Sequence, residues 1–164
     1  MRQKLILSAA CLTLLTACSS VSLQDDDKPR AGVPRETCKV SHEQEIAGLF
    51  TRWNQALQTG NPRVVVDNYA ARSVLLPTMS NQVRVTRAEK EDYFRHFLKD
   101  RPAGRIDFRQ IEIGCNSAVD AGLYTFTFAA TGAQVKARYT YTYSWNGQTW
   151  LITSHHSSAL PEKH

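Results

Sequence analysis

The stretch that decides the fold lies near the end of the chain and reads ARYTYTYSW (137–145), NGQT (146–149) and WLITSHHSS (150–158). An Asn-Gly pair between two runs of β-branched and aromatic residues is the strongest short-range signal of a β-hairpin. The sequence therefore predicts two long antiparallel strands joined by a tight turn.

Each of these strands has two distinct faces, because side chains alternate along a strand. Arg138 lies on one face of the first strand, and the other face carries an aromatic row: Tyr139, Tyr141, Tyr143 and Trp145. Strict alternation in the second strand groups four side chains: Trp150, Ile152, Ser154 and His156. This pattern predicts that Arg138 and His156 point into one concave surface.

Helical patterns precede the strands. A first helix is expected from Ser41, where Ser41 and Gln44 form a capping-box pattern, and a short second helix follows Asn61-Pro62. Thr86 and Glu89 form a second capping box before a third helix that ends near Asp100. Strand patterns dominate after Gly104, with a bulge expected near Arg109 or Gln110. Helices followed by antiparallel strands predict an α+β domain.

The ending also resembles a known family. The residues ARYT (137–140), a glycine turn and W-x-I-x-x-H-H-S-S (150–158), followed by Pro161, resemble the bacterial branch of the calcium/calmodulin-dependent protein kinase II association-domain family. This SgcJ/EcaC-like branch belongs to the NTF2-like (SnoaL-like) superfamily. The resemblance covers about 41–161. It implies an NTF2-like cone, in which three N-terminal helices pack on a strongly curved antiparallel sheet around a pocket.

The resemblance further implies a ligand pocket on the concave face of the sheet. Its expected ligand-binding residues are Arg138, Trp53, Tyr69, Tyr93, Phe97, Trp150 and His156. An arginine facing an apolar cone would bind a carboxylate or phosphate. The alternative is a permanent ion pair with a buried acid, for which the candidates are Asp67, Glu112 and Asp120.

His156 is the candidate catalytic residue, because histidine titrates near neutral pH and serves as a general acid or base. The alternative is a buried histidine that bonds to the backbone, to Ser154 or to Ser158. His155 is expected on the opposite face. The chain has no G-x-S-x-G elbow, which argues against a hydrolase of that type.

The aromatic row of the first strand bears on self-association. If the opposite face holds the pocket, the row would be exposed on a monomer, and large apolar patches usually mark interfaces. A homodimer through the sheet is therefore expected, and a higher oligomer remains open. The alternative is the reverse orientation, with the tyrosines inside the cone.

The first 17 residues have the pattern of a secretory signal, with Arg2 and Lys4 before an apolar run. The end of that segment, LTAC (15–18), resembles a bacterial lipobox, so Cys18 is expected to be lipidated; ordinary cleavage near Ala17 is the alternative. Ser19 in place of aspartate favours the outer membrane, with the domain facing the periplasm. Residues 18–40 are expected to form a tether, and 41–161 the domain.

Of the four cysteines, Cys11 lies in the predicted signal and Cys18 is the predicted lipidation site. The other two, Cys38 and Cys115, would lie in an oxidising compartment, either as a disulfide or as two thiols. The sequence contains no Cys-x-x-Cys or His-x-x-x-His pair that would indicate a metal site, and no cofactor is expected. The formal net charge is +5, and no Lys/Arg run interleaves with aromatic residues, which argues against nucleic-acid binding. Kinase loop motifs are absent from the sequence, so a kinase is excluded.

Three functions fit the sequence. The first is a lipid-anchored module that binds a small acidic or aromatic molecule on Arg138. The second is a SnoaL-like enzyme that performs cyclisation, isomerisation or hydration with His156 as acid or base. The third is a pure assembly domain, as in the kinase hubs that the family resembles.

Overall fold

The computed structural model describes residues 37–78 and 80–161. The predicted signal peptide, Cys18 and the tether as far as residue 36 lie outside the described residues. The described elements are α1 (Glu43–Gln58), α2 (Pro62–Val66), β1 (Tyr69–Leu76), α3 (Arg87–Phe97), a 3-10 turn (Leu98–Asp100), β2 (Pro102–Gly114), β3 (Ser117–Phe128), β4 (Gln134–Trp145) and β5 (Trp150–Ala159). None of these helices is long and apolar enough to cross a membrane.

The five strands form one sheet in the order β1-β5-β4-β3-β2. The neighbouring strands β2 and β3, β3 and β4, and β4 and β5 pair antiparallel, whereas β1 pairs parallel to β5. The predicted hairpin is present, with Trp145 opposite Trp150 on either side of the Asn-Gly turn. Helices packed on this mostly antiparallel sheet confirm the α+β prediction.

The two predicted capping boxes have different outcomes. Thr86 caps α3 as expected: its hydroxyl accepts from the Glu89 amide at 3.2 Å, and the Glu89 carboxylate accepts from the Thr86 amide at 2.8 Å. The box at Ser41 is wrong, because α1 begins two residues later with His42 as an N-cap that makes no side-chain capping bond.

A bulge interrupts β2 between Ile106 and Phe108, slightly earlier than expected. It places both Ile106 and Ile111 against the core. Gly122 on β3 faces the bulge, and a Cβ there would lie 1.9 Å from the Phe108 carbonyl oxygen. Only glycine fits this close backbone approach.

A second irregularity, in β5, decides which side chains enter the cone. Thr142 pairs with Ser154, but the next residue, Tyr143, pairs with Ile152, so Thr153 is an extra residue. A single inserted residue reverses the side-chain alternation beyond it. His155 therefore lies on the same side as Ile152, and His156 lies on the opposite side.

The tyrosines of the aromatic row lie inside the cone. Tyr139, Tyr141 and Tyr143 are buried. Phe50 of α1 packs against Tyr139 and Tyr141, and Trp53 of α1 packs against Tyr141. The expectation that this row is exposed on a monomer is therefore wrong, and the reverse orientation is the one present. The three tyrosines gain more from burial inside the cone than they would on the solvent-facing side.

A disulfide joins Cys38 to Cys115 across 77 residues of chain. The Lys39 amide donates to the Asn116 side-chain oxygen at 2.8 Å, and the Asn116 amide donates to the Thr37 carbonyl at 3.1 Å. The segment that enters α1 is thus held against the turn between β2 and β3.

Candidate functional site

A cavity of about 330 Å³ lies between α1, α3 and the inner face of the sheet. Its walls are mainly aromatic: Trp53, Tyr93, Phe94, Phe97, Tyr124, Phe126 and Phe128. His96 and Asp100 also line it and are exposed. Among the described residues, no lysine or arginine lines this cavity. Such walls favour an apolar ligand.

The polar groups of the cavity include three hydroxyls, from Thr78, Tyr124 and Ser157, and the imidazole of His155. Tyr124 donates its hydroxyl to Ser157 at 2.5 Å, and the hydroxyls of Ser157 and Thr78 bond to each other. Three hydroxyl protons serve these two bonds, so one proton is left for a ligand or water, whichever way the second bond points.

The hydrogen bonds around His155 define its tautomer. The Trp53 indole donates to the Tyr69 oxygen at 3.2 Å, and that oxygen lies 2.8 Å from Nδ1 of His155. Among the described residues, the Tyr69 hydroxyl proton has no other acceptor than Nδ1. Nδ1 therefore accepts, and Nε2 carries the ring proton. Nε2 is buried and has no hydrogen-bond partner within the described part of the chain.

The surroundings of His155 keep its imidazole neutral. The ring is 4% exposed and stacks on Tyr141 at a centroid distance of 4.2 Å. Burial, with a smaller contribution from His156, lowers the pKa of His155 from 6.5 to about 3. His155 is thus a hydrogen-bond donor at neutral pH and a poor carrier of protons.

This pKa predicts a loss of stability in acid. The unfolded chain binds a proton at residue 155 below pH 6.5, whereas the folded protein does not until about pH 3. Stability from this site is full above pH 6.5 and falls as the pH drops. We expect a loss of about 2 kcal/mol between pH 6.5 and pH 5.

Urea unfolding at several pH values measures this dependence. His155→Asn should reduce the acid loss by about that amount, while the control His156→Asn, on the outer face, should keep it. An equal pH slope in wild type and His155→Asn would contradict the assignment.

The structure brings only some of the expected site residues together. Trp53, Tyr93 and Phe97 line the cavity. Tyr69 is buried behind it and bonds to His155. Trp150 is buried elsewhere, does not line the cavity, and its indole donates to Glu45 at 3.2 Å.

Arg138 and His156 lie outside the cone, which corrects both predictions. Arg138 is exposed on the outer face and donates to the Ala159 carbonyl at 3.1 Å. Alternation places it opposite to Tyr139, and the aromatic row takes the inner face. His156 is exposed because the extra residue in β5 turns it outwards.

Two of the acids suggested as partners of Arg138 form ion pairs with other arginines instead. Asp120 bonds to Arg109 at 2.8 Å, and Asp67 bonds to Arg87 at 2.8 Å. The expected disulfide partners, Cys38 and Cys115, are joined.

Sequence reasoning missed His155, Ser157, Thr78 and Tyr124 as site residues. His155 and Ser157 belong to the quoted His-His-Ser-Ser ending, but strict alternation assigned the wrong member of each pair. Nothing in the residue type of Thr153 marks it as the extra residue that reverses the two faces of β5. Thr78 and Tyr124 lie far apart in the chain, and only the folded sheet brings them to Ser157.

The described residues contain no group of three or more His, Cys, Asp or Glu side chains that could hold a metal ion.

Comparison with known proteins agrees with this architecture. The family model of the calcium/calmodulin-dependent protein kinase II association domain matches residues 42–161. The chain therefore belongs to that family. No curated protein matches it.

Solved structures support the same assignment. A protein from Xanthomonas campestris, described as a calcium/calmodulin-dependent protein kinase II association domain, is 46% identical, with a TM-score of 0.71 over 80% of this chain and 100% of that one. An NTF2-like protein from Novosphingobium aromaticivorans with a cystatin-like fold is 12% identical (TM-score 0.62; 73% and 82% covered).

A cyanobacterial iota-carbonic anhydrase complexed with bicarbonate is 19% identical, with a TM-score of 0.68 over 77% of this chain and 97% of that one. At this identity the likeness shows the fold alone.

Proposed function

We propose that the cavity binds a small molecule with an apolar or aromatic body and one oxygen-bearing polar group. The observation that carries this proposal is the buried Nε2–H of His155, a donor without a partner in the described structure on a residue that lines the cavity. A buried donor left without a partner costs about 1–3 kcal/mol, so a ligand oxygen that accepts from it gains that much.

The charge of the site refines the ligand class. Arg138 is outside, so an acid anchored on that arginine is not part of this proposal. The ligand's oxygen meets uncharged donors instead: the His155 N–H and the spare hydroxyl proton of the Thr78, Ser157 and Tyr124 group. A carbonyl, a hydroxyl or a small oxyanion fits these donors.

Phenol and toluene test this proposal as a matched pair, because they differ by a hydroxyl in place of a methyl group. We expect the wild-type chain to bind phenol more tightly than toluene. His155→Phe, which removes the Nε2–H donor and keeps an aromatic ring, should weaken phenol binding about five- to tenfold, the worth of one hydrogen bond, and leave toluene binding unchanged. Ligand-observed NMR titration gives both affinities.

His156→Phe is the matched control, since His156 is the next residue along and is exposed outside the cone. It should leave both affinities unchanged. Equal affinities for phenol and toluene in wild type, or equal losses for both ligands in His155→Phe, would contradict the proposed polar end.

Reversible hydration of CO₂ is a second candidate function. CO₂ is apolar and suits the aromatic walls, while its product bicarbonate presents oxygens to the uncharged donors. The iota-carbonic anhydrase that shares this fold is complexed with bicarbonate, which makes CO₂ hydration the hydration to test first. For this reaction His156 would not act as the acid or base inside the cavity, because it lies outside the cone.

We also propose that the protein is a lipoprotein of the bacterial outer membrane that faces the periplasm. The lipobox-like residues 15–18 support this location. The Cys38–Cys115 disulfide is in keeping with an oxidising compartment.

Self-association through the outer face of the sheet remains a proposal, now supported by other residues. Phe108 and Leu123 lie directly opposite each other on neighbouring strands. Phe108 is 58% exposed and Leu123 is 37% exposed. An apolar pair beside Arg138 suits the centre of a homodimer interface better than the buried tyrosines do.

A further inference from the structure

The cavity and a second depression on the surface share part of their walls. This outer depression has a volume of about 200 Å³. Its lining residues include Ser80, Asn81, Gln82 and His156. Pro77 and Ser157 line both the depression and the cavity.

β1 ends just before Ser157, the residue of β5 that lines both the depression and the cavity. β1 stops at Leu76, which pairs with His156, so within the described pairing β5 has no β1 partner from Ser157 onwards. The chain instead turns at Pro77 and closes the gap with the hydrogen bond between Thr78 and Ser157. Ser157, whose hydroxyl makes this bond, is therefore one of the two residues that the cavity and the outer depression share.

Hydration of CO₂ needs an exit for a proton. Water adds to the carbon, an electron pair of one C=O bond moves to its oxygen, and one proton leaves, so that CO₂ and water give bicarbonate and H⁺. His155 stays neutral near pH 7 and cannot hold this proton. The cavity also holds three hydroxyls that are hydrogen-bonded to one another, those of Thr78, Tyr124 and Ser157. A hydroxyl can accept a proton on one side while it releases its own on the other.

We infer that Ser157 passes this proton through the wall to the outer depression, where His156 takes it up and exchanges it with solvent. This inference rests on the proposed CO₂ hydration. The Ser157 hydroxyl gains a proton from the cavity side and loses one to the depression, so it ends unchanged. His156 is the titratable side chain among the described residues that line the depression, and its exposure lets buffer collect the proton.

The competing exit is the mouth of the cavity, where His96 and Asp100 are exposed. These two side chains belong to α3 and the turn after it, whereas the hydroxyls belong to β3, β5 and the segment after β1. Substitutions at His96 and at His156 therefore distinguish the two routes.

Exchange of ¹⁸O between labelled CO₂ and water, followed by mass spectrometry on the full chain, separates the two steps. One rate reports the interconversion of CO₂ and bicarbonate, and the other reports release of labelled water, which needs a delivered proton. His156→Ala should slow water release at least about tenfold and leave interconversion unchanged. Added imidazole should restore the rate. His42→Ala is the matched control, because His42 is exposed and lines neither the cavity nor the depression, and it should change neither rate. His96→Ala tests the mouth of the cavity and should not slow water release relative to interconversion.

Each other result overturns a specific part. No catalysed exchange in wild type would overturn CO₂ hydration and with it this relay, while the binding of phenol over toluene would still stand or fall by its own titration. Catalysed exchange with water release unaffected by His156→Ala would overturn the relay alone. If water release is slowed in His96→Ala but not in His156→Ala, the proton leaves through the mouth of the cavity.

Discussion

Replacing Asp120 by alanine is expected to destabilise the protein by about 3–5 kcal/mol. Asp120 is fully buried on the inner face of β3. Its carboxylate accepts from Arg109 at 2.8 and 3.3 Å and from the Tyr139 hydroxyl at 2.8 Å. Removing the carboxylate leaves a partly buried guanidinium without its counter-charge and a buried hydroxyl without its acceptor, which is more costly than the loss of the bonds themselves.

Urea unfolding monitored by tryptophan fluorescence measures this loss. Asp67→Ala is the matched control, because Asp67 bonds to Arg87 at the same 2.8 Å but both side chains are more than half exposed. An exposed pair contributes at most about 1 kcal/mol. A loss below about 1 kcal/mol for Asp120→Ala would mean that Arg109 and Tyr139 find other partners, contrary to this account.

The second large effect concerns the Cys38–Cys115 disulfide. It closes a loop of 77 residues, and the chain-entropy argument gives about 4.5 kcal/mol for a loop of that length. The double variant Cys38→Ser, Cys115→Ser should lose about that free energy of unfolding, because its unfolded chain regains the freedom that the bond removes. The segment from Thr37 to Lys39 would then keep its hydrogen bonds to Asn116 and the contacts of the Lys39 side chain with Glu45 and Trp145.

Two comparisons make this test specific. Reductant should destabilise the wild-type chain to the level of the double variant and should leave the double variant unchanged, with Cys11 and Cys18 present in both. Cys38→Ser alone should equal the double variant, since either substitution breaks the bond. A double variant as stable as the oxidised wild type would contradict a constraining role.

The local patterns of the sequence predicted most of the fold. The hairpin at Asn146-Gly147 and the capping box at Thr86 formed as expected, because both depend on interactions between residues a few positions apart. The order of helices and strands also followed from periodicity. The start of α1 did not, since Ser41 had the capping pattern but His42 took the position.

The site was predicted less well, and the reason is local to β5. Trp53, Tyr93 and Phe97, which the resemblance assigned to the pocket, line the cavity from regular helices, and their role in ligand binding stays a prediction. In β5 one extra residue at Thr153 exchanged the faces, so that His155 entered the cone in place of His156. A period of two has no tolerance for an insertion, whereas an amphipathic helix presents a broad face.

The sequence by itself determined the class of domain, the family and the segments that form helices and strands, since these depend on short-range patterns. The tertiary structure alone decided which face of the hairpin is inside. That choice depends on the gain from burying the tyrosines against α1, on the bulge opposite Gly122 and on the insertion in β5. It also brought Thr78, Tyr124 and Ser157 together, because hydrogen bonds between distant strands depend on register, and register is a property of the whole sheet.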